Sequence, residues 1–69
     1  MAKILIVCEA DGKTVHALYS CNPGEDEYTE LGHAREIHET AGHVCFLVDH
    51  PTPATVTSSQ AALIVADQT

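Results

Sequence analysis

The sequence predicts an α/β domain of the α+β type: a β-hairpin, one helix, then one or two strands, folded as a split β-α-β sheet with a single helix on one face. Three observations carry this. Lys3-Ile4-Leu5-Ile6-Val7-Cys8-Glu9 is a short apolar run with β-branched residues, the pattern of a strand covered on both faces or central in its sheet. Asp11-Gly12 separates it from a second strand-like run, Lys13 to Ser20. Asp-Gly in that position signals a hairpin, because a type I′ turn needs positive φ at both central residues. A stretch with helix start and stop signals then leads to a third apolar run, which a crossover can lay beside the first strand.

A two-residue turn sets the hairpin register. Cys8 then faces Val15, Ile6 faces Ala17 and Ile4 faces Tyr19. One face collects Ile4, Ile6, Cys8, Val15, Ala17 and Tyr19, and is expected to pack on the helix. The other carries Leu5, Val7 and Leu18, diluted by Glu9, Thr14 and His16, and is expected to be wetter or covered by a further element. After the hairpin, Asn22 is a helix cap, Pro23 suits the first helical position and Glu25 stands three residues beyond the cap. Glu25, Asp26 and Glu27 match the positive end of the helix dipole.

The helix is expected from Pro23 or Gly24 to Ala41, with Gly42 as its stop. Its inner stripe is Leu31, Ala34, Ile37, His38 and Ala41, with Tyr28 at the edge. His43 to His50 is the third strand, with Val44, Phe46 and Val48 on one side and Cys45 and Leu47 on the other. Pro51 ends it. Ala61 to Ala66 is open to two readings: length favours a strand, while two alanines and the preceding Ser58-Ser59 favour a capped helix. The strand, at a sheet edge, is the expectation carried forward. The order of the first three strands is then 2-1-3.

Sixty-nine residues make one domain, 1–69. Such a chain buries only roughly 60% of its unfolded surface, so a partner or a second copy would supply useful burial. Ten Asp/Glu against three Lys/Arg give a formal charge of −7. Nucleic acids and anionic membranes need a basic footprint, so both are excluded as direct partners. A basic protein surface is not excluded. Cys8, Cys21 and Cys45 are odd in number and widely spaced, and read as free thiols of a reducing compartment. The first strand begins at residue 3, with no basic, apolar leader before it, so the expected location is the cytoplasm.

The segments Lys3 to Lys13, Ala34-Arg35-Glu36 leading into Ala41 to Val48, and Ala61 to Asp67 resemble the amino-terminal part of electron-transfer flavoprotein alpha subunits. In that family a first strand ends in an acidic dipeptide region. A helix and a second strand follow, and a third strand ends in an apolar-Val-Ala pattern. The resemblance implies a parallel sheet, against the hairpin read from Asp11-Gly12. The stretch Val15 to Glu25 is also longer than the family's link from first strand to helix. Flavin binding in the family belongs to a carboxy-terminal domain outside these segments, so no flavin is implied here and no cofactor is expected.

Five histidines in 69 residues are the most unusual feature. Glu30-Leu31-Gly32-His33 has the Glu-x-x-His spacing that puts two ligands on neighbouring helix positions. Glu30 and His33 are therefore the candidate divalent-metal residues, and the other histidines are expected at the surface. His38 is expected at the core edge, bonded to a backbone carbonyl. Cys8 or Cys45 with His16 or His43 as base would make a nucleophile, but the register puts His16 on the opposite sheet face from Cys8. Cys21 stands beside the helix start, where a thiolate is stabilised, without an oxyanion feature. The four glycines are isolated and form no phosphate loop. No catalytic residue is expected.

These observations point to a small acidic, non-enzymatic protein-binding module. Glu25, Asp26, Glu27 and Glu30 are the expected contact surface for Lys and Arg of a partner. Such compact acidic chains resemble the small accessory proteins of phages and mobile elements, including inhibitors that imitate nucleic-acid charge. The alternative is a small-ligand or divalent-metal-binding module. A homodimer through the edge of the second strand is compatible with either.

Overall fold

The computed structural model describes residues 2–20 and 27–68. The elements are β1 (Lys3–Cys8), β2 (Val15–Ser20), α1 (Glu27–Thr40), β3 (Val44–Asp49), a single 3-10 turn (Pro53–Thr55) and α2 (Ser58–Gln68). The sheet is ordered β2-β1-β3, and both ladders are antiparallel. β2 and β3 therefore run parallel with β1 between them, the split β-α-β arrangement expected. The parallel neighbours implied by the flavoprotein resemblance do not form, because the chain doubles back as a hairpin before it reaches α1. Lys3 and Asp49, opposite each other in the β1–β3 ladder, form an ion pair at the sheet's end.

β1 is the core. Ile4, Leu5, Ile6, Val7 and Cys8 are five consecutive residues, each at most 1% exposed, which requires cover on both faces. Leu5 and Val7 pack with Leu31 of α1, joined by Ala17, Ala34 and Cys45. Ile4, Ile6 and Cys8 pack with Ala61 and Val65 of α2, joined by residues that include Leu18, Phe46 and Val48. The mixed α/β class and the strand order stand, but the closing segment is a helix, not an edge strand, so each face has its own helix. The Leu5/Val7 face, expected to be wetter or covered by a further element, is the one α1 covers. The physical reason for α2 lies at Thr57. Gln60 N–H donates to Thr57 Oγ1 at 3.2 Å, and Thr57 N–H donates to Gln60 Oε1 at 2.9 Å, a reciprocal capping box. Ala61 and Val65 then share one helical face.

The hairpin also differs from the two-residue turn. Glu9 N–H donates to Thr14 O at 2.8 Å, and Gly12 N–H to Glu9 O at 2.9 Å. The Asp11 carboxylate accepts from the Lys13 and Thr14 N–H groups and from the Thr14 hydroxyl. Gly12 has φ +71°, and no described non-glycine residue has positive φ, which rules out type I′. The ladder steps from Cys8 opposite Val15 to Val7 opposite Ala17. His16 is thus the extra residue of a β-bulge. Beyond it the register is one residue from that expected, so Leu18 replaces Ala17 and Tyr19 on the Ile4 face.

α1 ends in a Schellman motif. Gly42, at φ +92°, donates its N–H to Glu39 O at 3.0 Å, and His43 N–H donates to His38 O at 2.9 Å. The expected start at Pro23 or Gly24 lies outside the described residues. The buried stripe is narrower than expected: Leu31 is buried and Ala34 and His38 half-buried, while Ile37 and Ala41 are exposed. β3 has the expected sides, with Phe46 and Val48 toward α2 and Cys45 toward α1.

Candidate metal centre

Three histidines, from β2, from α1 and from the link between α1 and β3, meet on the α1 side of the sheet. His16, His38 and His43 each offer a ring nitrogen, and these atoms lie within 4.8 Å of one another. The backbone features just described bring them together. A bulge re-aims the side chain of its extra residue, so consecutive residues His16 and Ala17 both face α1. The Schellman motif sets the residue three from the helix end beside the one just past its glycine. Those two are His38 and His43, whose Nδ1 atoms are 3.0 Å apart. His16 and His43 stack with ring centroids 4.3 Å apart. His38 lies 5.8 Å from His16 and 5.2 Å from His43 by the same measure.

Two further groups hold the rings. The Glu9 carboxylate is 2.9 Å from His16 Nδ1. An ionised carboxylate only accepts, so Nδ1 donates to it and Nε2 is the ring nitrogen left to ligate a metal. Tyr19 Oη is 2.7 Å from His38 Nε2, which leaves His38 Nδ1 facing His43. Two nitrogens bound at the usual zinc distance in a tetrahedron stand about 3.3 Å apart. The His38–His43 separation is close to that, and one ring proton must leave the pair before both nitrogens can ligate. His16 is exposed and the other two are half-buried, so an ion has a path in.

The residues expected from sequence lie elsewhere. Glu30 and His33 are exposed on α1 and line a groove of about 290 Å³ with Tyr19, Ala34, Ile37 and His38. Glu25 and Asp26 lie outside the described residues, as does Cys21; Glu27 opens α1. His38 bonds Tyr19 and His43, not a backbone carbonyl as expected. His50 accepts from Thr52 N–H at 3.0 Å, away from the cluster.

Cys8 and Cys45 are free thiols. Burial pushes Cys8 up, with Asp11 and Cys45 adding to it. Burial likewise raises Cys45, with Glu39 adding and Arg35 opposing. Raised thiols are poor nucleophiles, so the site's chemistry belongs to the imidazoles. Sequence reasoning missed the cluster because it sought helix-spaced ligand pairs. The available signal was His38 and His43 placed around Gly42.

The chain matches no family model, no curated protein and no solved structure. No described helix is long and apolar enough to cross a membrane.

Proposed function

We propose that this chain is a metal-binding domain that holds one divalent transition-metal ion on His16, His38 and His43. The observation that carries the reading is the convergence of three imidazole nitrogens within 4.8 Å, two of the rings being oriented by Glu9 and Tyr19. Imidazole donors suit zinc, copper, nickel and cobalt and not magnesium or calcium. The carboxylate–histidine pair is the outer-shell arrangement that orients a ligating ring and raises its basicity. A formal charge of −7 favours cations near the surface. Calorimetric titration with zinc tests it. The expected result is one ion per chain, with affinity cut at least tenfold by His16→Ala, His38→Ala or His43→Ala and unchanged by His33→Ala or His50→Ala. Binding indifferent to the first three substitutions would overturn it.

The acidic protein-binding module is the second reading. It is favoured by the commitment of Lys3 to Asp49 and of Arg35 to Glu39, which leaves Lys13 as the one further Lys/Arg against the other eight acids. Binding to a polybasic peptide that weakens steeply with salt and is lost on Asp26→Lys with Glu27→Lys would support it. Salt-insensitive binding untouched by those changes would sink it.

A further inference from the structure

Resting on the metal-site reading, we propose that the ion on His16, His38 and His43 keeps a fourth position open to solvent and takes a small monodentate anion there. Structural zinc sites are closed by four protein donors, whereas sites that bind exogenous ligands use three and leave one position to water. Among the described residues the converging group has three members. All three donors are neutral imidazoles, so the first shell leaves the ion's double positive charge uncompensated. The nearby Glu9 carboxylate is committed to His16 Nδ1, behind the ring. An anionic fourth ligand completes both the coordination number and the charge. Water in that position is acidified by the ion.

The position is not walled off. The His16 and Glu9 side chains are 40% and 47% exposed, and an open cleft of about 370 Å³ begins at His43, lined also by Arg35, Glu39, Val44 and Cys45. Besides His43, Glu39 and Cys45 are the ligand types in that cleft. Glu39 is held by Arg35 Nε, and the Cys45 thiol donates to Arg35 O at 3.9 Å. Both are turned toward α1's own groups, and neither belongs to the converging set.

Cobalt(II) is the probe, because its visible bands report coordination number and donor type, and azide is the test anion. Cobalt is loaded into the full chain and azide is titrated in. The expected result is a saturable shift of the visible bands with one azide per cobalt, unchanged in Glu39→Gln. A spectrum indifferent to azide would overturn the open position, as would a response gained only in Glu39→Gln. An intense near-ultraviolet sulfur-to-cobalt band would also overturn it, by showing that a cysteine holds the fourth place. These outcomes leave the three-histidine reading standing. Failure of cobalt to bind, or full binding after His43→Ala, would instead remove that reading and the proposal with it.

Discussion

Replacing Leu31 with alanine should loosen α1 and, through it, the metal centre. Leu31 is 3% exposed and is the one fully buried residue among the described side chains of α1. It packs on Leu5 and Val7. A buried Leu→Ala change costs about 2–5 kcal/mol, through lost burial and the cavity left behind. At about 0.05–0.15 kcal/mol per residue, a chain of this length has a total stability of about 3–10 kcal/mol, so the loss takes roughly a fifth of it at the least. His38 rides on α1, whereas His16 belongs to β2 and His43 precedes β3. His43 N–H is bonded to His38 O at the end of α1, so loosening α1 shifts that pair against His16, and zinc affinity should fall although no ligand is touched. Urea unfolding followed by circular dichroism measures the first effect and zinc calorimetry the second. Leu63→Ala, at a residue 73% exposed on α2, is the control and should stay within about 0.5 kcal/mol. Leu31→Ala within that same margin would refute the packing argument. A large stability loss with undiminished affinity in the remaining folded protein would refute the coupling.

Two glycines should respond with opposite signs. Gly42→Ala forces a side chain into φ +92° and should cost about 1–2 kcal/mol; with nothing within 4 Å of the new Cβ, the cost is in the backbone. Gly32→Ala, equally open and inside α1, should stabilise by about 1 kcal/mol, and thermal melts measure both. The backbone N–H groups of Thr14 and Lys13 and the Thr14 hydroxyl hold Asp11 down from 3.8 to about 2. A depressed carboxyl stabilises the fold above its unfolded pKa, and that contribution is lost as pH falls from about 4 through about 2. Asp11→Asn should flatten this part of the acid-stability profile. Site-resolved alkylation of the folded chain at neutral pH should leave Cys8 unmodified and Cys45 slow, since burial is the leading cause of both raised thiols.

Much of the fold is readable from local chemistry. The apolar run Ile4 to Cys8 states that β1 is central, and the alternation of Val44 to Val48 assigns β3 its two sides. The closing helix was also legible, in the capping box Thr57-Ser58-Ser59-Gln60; the strand reading weighed the length of the apolar run above the cap. The hairpin register was not legible. Asp11-Gly12 marks the turn, but the Asp11 carboxylate organises a longer loop, and the bulge at His16 arises where that loop meets the ladder. The candidate site divides in the same way. His38 and His43 follow from a helix stop at Gly42, while His16 and its partner Glu9 depend on a bulge that no local pattern announces.

The measurement that tests the central claim most directly is a long-range nitrogen–proton correlation spectrum of the histidine rings, recorded before and after one equivalent of zinc. The account predicts large ring-nitrogen shifts at His16, His38 and His43, with His16 ligating through Nε2 and His38 through Nδ1, and unmoved rings at His33 and His50. Shifts at His33 with the other three unmoved, or no shift at any ring, would contradict it.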